Sequence, residues 1–321
     1  MLKIGNLTLS VPFMLAPMAG VSDLPFRIVT RSFGASLAFT EMIDAGALSH
    51  RHKRTLQMLT STPDDRPLGI QFLGNDEAHI LKAIEAIEGI DFDLLDLNAA
   101  CPTPQITRKG KGAALLKEPH RLGKLLRVLV EHARVPVTVK IRAGWDLTSV
   151  NAQRVALCAE DAGVSAVFIH GRTRSQGYSG TVDYRIIQEV KKALAIPVIA
   201  SGDNLSVHSI KKMFDETGCD GVAIARGSLG YPWIYREVIR FFQDGTLCEK
   251  PGMDERIATM MHHFKLVIDY YGEKRGVACF HKFFIWYTRG LKGTKPLRDS
   301  AFRADTKDEL LDVVEKLRGF S

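Results

Sequence analysis

Eight short apolar runs recur along the chain, at 13–17, 37–41, 68–72, 94–97, 137–141, 166–170, 198–201 and 221–225. Most are continuous rather than alternating, the pattern of parallel strands covered on both faces. Segments with helical spacing lie between them, at 78–87, 119–132, 150–162, 184–193 and 206–217. Each of the last three strands follows a helix after a short break: Gly163-Val164, Ile196-Pro197 and Gly218-Cys219-Asp220. Strand-then-helix units repeated eight times predict an α/β fold, a (β/α)8 TIM barrel. After Gly230-Tyr231-Pro232-Trp233 the alternation stops. A linker is expected at 243–252, followed by helices at 254–271, 277–291 and 306–318, which read as a small C-terminal α-helical bundle. The expected organisation is a barrel over 1–242 and a helical domain over 243–321.

Composition narrows the function classes. No apolar run approaches the roughly 20 residues that cross a bilayer. Asn6, Thr8 and Ser10 interrupt the N-terminal segment, so no secretory core forms, and a cytoplasmic protein without a membrane partner is expected. The five cysteines are scattered and contain no CxxC pair, which predicts neither a disulfide framework nor a metal site. Lys and Arg number 43 against 36 Asp and Glu, a net charge of +7 that favours an anionic partner. The cations cluster in Arg51-His52-Lys53-Arg54, Arg108-Lys109-Gly110-Lys111, Arg172-Thr173-Arg174 and the final third.

Barrel active sites are built from strand C-termini and the loops beyond them. Here those ends carry Ala16-Pro17-Met18, Glu41-Met42, Gln71, Asn98 with Cys101, Lys140 with Arg142, His170, Ser201-Gly202-Asp203 and Ala225-Arg226-Gly227. Taken singly, Gln71 reads as a helix cap and His170 as a satisfied core histidine. As a ring, they read as an active site. Gly202 and Arg226-Gly227 follow strands seven and eight, where this fold binds phosphate, so a phosphorylated cofactor is expected. Lys140 at a barrel mouth needs an anionic or electron-rich partner. A Schiff-base substrate and the pyrimidine edge of a flavin both satisfy it, and the residues alone leave a sugar-phosphate aldolase and a flavin enzyme open.

Ala16-Pro17-Met18-Ala19-Gly20-Val21, Leu95-Asp96-Leu97-Asn98-Ala99-Ala100-Cys101-Pro102, Val139-Lys140-Ile141-Arg142 and His170-Gly171-Arg172-Thr173-Arg174-Ser175-Gln176-Gly177-Tyr178 resemble the tRNA-dihydrouridine synthases. Phe280-His281-Lys282-Phe283-Phe284-Ile285-Trp286-Tyr287 is most similar to the bacterial B-type branch. The resemblance implies a barrel holding FMN, NADPH as reductant, and reduction of specific tRNA uridines, in the D-loop, to 5,6-dihydrouridine. It implies that Cys101 protonates C5 while the flavin delivers hydride to C6. Ala16, Pro17, Met18, Gln71, Lys140, His170, Ser201, Gly202, Asp203, Ala225 and Arg226 are the implied flavin contacts. Asn98 would orient flavin or uracil, and Arg142 would also face the substrate. Arg108, Lys109, Arg172, Arg174, Arg275, His281 and Lys282 would lie along the RNA. A monomer is expected.

The chemistry suits these residue types. An ordinary thiol, with a pKa of about 8.5, carries its proton near neutrality, as a general acid must. The charges of Arg108 and Lys109 are therefore expected to serve RNA phosphate rather than the sulfur. Two positions depart from the family pattern. Ala99-Ala100 stands where Met-Gly is usual, so the loop must avoid positive φ, and Ser201 replaces the usual Asn, with a shorter reach. The rival readings are a flavin oxidoreductase acting on a free pyrimidine or another small molecule, and a tRNA-binding or folding-assistance protein whose catalysis is secondary.

Overall fold

The computed structural model describes residues 1–320. The chain opens with a hairpin, β1 (Leu2–Ile4) and β2 (Leu7–Leu9), turned at Gly5-Asn6 with Gly5 at φ +58°. This element lies outside the eight expected strands. Leu2, Ile4 and Leu9 join Met14, Leu37 and Leu94 in one buried cluster, so the hairpin plugs the floor of the barrel.

The barrel consists of β3 (Phe13–Leu15), β4 (Ala38–Asp44), β5 (Leu68–Leu73), β6 (Leu94–Asn98), β7 (Val137–Arg142), β8 (Ala166–His170), β9 (Val198–Ser201) and β10 (Gly221–Ile224). Every pairing from β4 through β10 and on to β3 is parallel. The circle closes where Leu15 N–H donates to Leu37 O at 2.8 Å and Ser36 N–H to Phe13 O at 3.0 Å. The expected (β/α)8 fold is therefore present.

Strand alternation divides the barrel interior into layers. The lower layer is apolar and includes Phe39 and Phe168, whose rings meet edge to face at 5.3 Å. Gly69 makes room for Phe39, since a Cβ there would lie 2.5 Å from its ring. The next positions upward are polar. Gln71, Asp96 and Thr138 are in register across β5, β6 and β7, and Arg142, His170 and Ser201 across β7, β8 and β9.

Helices between the strands match the expected segments and add Leu24–Ser32. Asp23 caps that helix by accepting from Phe26 N–H at 3.1 Å. Beyond the barrel come Ile234–Asp244, Met253–Tyr271, Glu273–Tyr287, Lys295–Arg303 and Lys307–Glu315. Gly276 lets the second and third of these pack closely, because a Cβ would sit 2.8 Å from Ile268 Cδ1. Phe283 stacks on Phe26 at 5.7 Å, which seats these helices on the barrel. Two hydroxyls strengthen the seam: Tyr271 OH donates to Asp23 Oδ2 at 2.9 Å and Tyr270 OH to Gln57 O at 2.6 Å. Among the described residues no helix is long and apolar enough to cross a membrane.

Candidate active site

A cleft of about 330 Å³ opens at the C-terminal end of the barrel, a size suited to a small molecule or cofactor. It is lined by Cys101, Asn98 and Arg142 together with all eleven residues expected to contact the flavin: Ala16, Pro17, Met18, Gln71, Lys140, His170, Ser201, Gly202, Asp203, Ala225 and Arg226.

Cys101 follows β6 on a loop held from several sides. Asn98 Oδ1 accepts from Ala100 N–H at 3.0 Å and Cys101 N–H at 2.9 Å. Asn98 Nδ2 donates to Gln71 Oε1 at 2.8 Å. The asparagine thus shapes the cysteine loop as well as lining the cleft. Gly112, at φ +60°, passes beneath the loop, and a Cβ there would lie 2.8 Å from Cys101 O. Ala99 and Ala100 both avoid positive φ, as their substitution for Met-Gly requires. The thiol is half-buried, and its polar neighbour is Thr103 Oγ1 at 3.4 Å.

Below the cysteine, Asp96 accepts from Gln71 Nε2 and Thr138 Oγ1, each at 2.7 Å. Burial pushes its pKa up to about 6 despite those bonds. Asp96 was absent from the residues picked out by sequence. Its period-two relation to Asn98 was the available signal, because it places both on the inner face of β6. Lys140 Nζ donates to Ser201 Oγ at 3.0 Å, and that hydroxyl donates in turn to Ile169 O at 3.1 Å. Burial, with Arg142 adding to it, lowers the lysine to about 8, while Asp96 acts in the opposite direction. His170 is held well below the usual imidazole value by burial and then by Arg142, Lys140, Arg172 and Arg226, so its ring is neutral.

At the corner beyond β9 and β10, Asp203 adopts φ +54° and lies between two guanidiniums. Arg172 grips it at 2.5 and 3.0 Å, and Arg226 at 2.6 Å. Two cations against one carboxylate leave this corner net positive. Gly202, at φ +117°, allows the backbone to pass His170, whose Cδ2 would be 2.8 Å from a Cβ.

The residues expected along the RNA separate into two groups. Arg108 and Lys109 are exposed. Arg172 is buried, donating to Ser179 O, Gly180 O and Asp203, and Arg142 is buried, donating to Ala100 O, Thr173 O and Gly177 O. Both guanidiniums donate to groups within the protein, and Arg142 also lines the cleft. Half-buried Arg174 lies 4.5 Å from the Trp145 ring, and exposed Arg275 lies 4.4 Å from that of Tyr271. His281 meets Ala304 O at 3.1 Å, and Lys282 donates to Gly20 O in the loop after β3. Tyr178 was missed by the sequence reading; it is 61% exposed at the cleft, 5.1 Å from the Arg226 guanidinium. Among the described residues no cluster of three or more His, Cys, Asp or Glu could hold a metal.

Residues 14–319 match the family model described as dihydrouridine synthase (Dus). The chain is 35% identical over 321 residues to the probable tRNA-dihydrouridine synthase of Rickettsia conorii, spanning 100% of this chain and 96% of that one. It is 33% identical over 312 residues to tRNA-dihydrouridine synthase B of Pasteurella multocida, spanning 97% and 94%. Among solved structures, histamine dehydrogenase from Rhizobium sp. 4-9 aligns with a TM-score of 0.58 at 12% identity, over 83% of this chain and 50% of that one, a likeness of fold alone. With a family match across nearly all of the chain and relatives above 30% identity, the chain belongs to the dihydrouridine synthase family.

Proposed function

We propose that the protein reduces uridine in the D-loop of tRNA to 5,6-dihydrouridine, using bound FMN and NADPH. The observation that carries this reading is the meeting of Cys101, Lys140, His170, Asp203 and Arg226 in one cleft, with Arg172 holding Asp203 from behind. The relatives named as tRNA-dihydrouridine synthases support it.

The residues present fit a flavin mononucleotide. Lys140 offers a half-buried ammonium whose one hydrogen-bond partner is Ser201 Oγ, suited to the electron-rich pyrimidine edge of the ring. The net positive corner at Asp203 and Arg226, beside Gly202, suits the phosphate. A flavin held there would supply hydride chemistry for C6 of uracil, with NADPH as the reductant. Cys101 donates the thiol proton to C5, so the C5=C6 double bond is saturated, and solvent then returns a proton to the sulfur. Asn98 fixes the cysteine backbone, and Arg142 pins the same loop through Ala100 O. The uridine must leave its stack to reach this depth. Residues 243–321 grip the folded tRNA from the rim, largely through shape and backbone.

Purified protein supplied with FMN and NADPH is expected to raise the dihydrouridine content of unmodified tRNA, read by mass spectrometry. Free uridine is expected to be a far poorer substrate. Efficient reduction of free uridine together with indifference to tRNA would replace this reading with the free-pyrimidine oxidoreductase.

A further inference from the structure

Five consecutive exposed residues, His50 to Arg54, follow the C-terminal end of β4. Arg51, Lys53 and Arg54 form no ion pair among the described residues, and neither do Arg108 and Lys109. The two basic segments are joined. Lys111 Nζ bonds Asp44 Oδ2 at 2.5 Å, and Asp44 also caps the short helix leading to His50 through Ala47 N–H at 3.1 Å. At the far end, Gln57 accepts from Tyr270 OH at 2.6 Å, and its Oε1 accepts from the Arg275 guanidinium at 3.5 Å. Unpaired cations therefore run from the cysteine loop, past β4, to the C-terminal helices.

On the β8 side of the cleft the arginines are arranged differently. Arg142 and Arg172 are buried and saturated by carbonyls and Asp203. A polyanion gains most from charges that have no protein partner to give up. Building on the proposed function, we propose that Arg51, Lys53 and Arg54 form a track for the tRNA phosphodiester backbone. The track is continuous with Arg108-Lys109 and Arg275, so the RNA crosses the β4–β6 rim of the cleft rather than the β8 rim.

The test compares two variants that remove equal charge. K53Q/R54Q alters the track, whereas K124Q/R127Q alters two exposed, unpaired cations on the outer helix Pro119–His132. Binding of an unmodified tRNA transcript to the flavin-loaded protein is titrated across a salt series. K53Q/R54Q is expected to reduce the slope of log affinity against log salt by about 1.5 and to weaken low-salt binding about tenfold or more. K124Q/R127Q is expected to keep the wild-type slope. Both should keep the wild-type melting temperature and bound flavin, and K53R/R54K should restore the slope. An unchanged slope in K53Q/R54Q, or an equal fall in both variants, would overturn the track. A wild-type affinity that does not respond to salt would overturn the tRNA reading itself, and the track with it.

Discussion

The loops after β6 and β8 both carry basic motifs beside the cleft, yet they use them in opposite ways. In Arg172-Thr173-Arg174 the first guanidinium is buried, with donors directed at Ser179 O, Gly180 O and Asp203. In Arg108-Lys109 both charges face solvent without an ion-pair partner. The first motif is a structural rivet that fixes the corner around Asp203, and the second is spare charge at the rim. Arginine suits both tasks, since its planar fork saturates several acceptors at once while its charge persists at any physiological pH. Partners distinguish the two roles, and those partners come from distant parts of the chain.

Removing a rivet should produce the largest effect. Arg172→Met leaves Asp203 with Arg226 alone and strips two carbonyls of their donor, so a stability loss of about 3 kcal/mol is expected in urea denaturation. Adding Asp203→Asn should recover part of it. Arg142→Met removes donors from Ala100 O, Thr173 O and Gly177 O at once, with an expected cost of about 2 kcal/mol. Amide exchange should quicken in the Cys101 loop, and unchanged exchange there would deny the pinning role.

A subtler consequence of the buried cations is read through His170. Folding holds this imidazole neutral, whereas in the unfolded chain it protonates near its ordinary value, so the unfolded state binds more protons in acid. Its contribution is complete above that ordinary value and is lost progressively as pH falls below it. His170→Asn should remove this component, and parallel pH–stability curves for variant and wild type would refute it. The smallest effect belongs to the spare charges. Arg108→Gln with Lys109→Gln should change stability by less than about 0.5 kcal/mol, in contrast to either rivet. A loss comparable to that of Arg142→Met would erase the distinction between the loops.

The barrel was legible because most of its strands are continuous apolar runs that end in polar residues. Lys140 and His170 stood out for that reason. Hairpin β1–β2 was overlooked because its strands are only three residues long, although apolar alternation around Gly5-Asn6 is a hairpin signal. Helix Lys295–Arg303 was also missed; it is short and polar along much of its length. The burial of Arg142 and Arg172 was beyond local reading. A guanidinium held by carbonyls at Ala100, Thr173 and Gly177 has no signature at position 142 itself. The cleft's membership was therefore readable from strand ends, while the division of its basic residues required the fold.

The central claim is that Cys101 delivers a proton inside a flavin cradle. The direct measurement is dihydrouridine formation on tRNA by Cys101→Ala, alongside its flavin absorbance and tRNA affinity. The account predicts turnover lowered at least about 100-fold, within the range for a lost general acid, with flavin and tRNA binding retained. Turnover equal to that of the wild-type protein would contradict it.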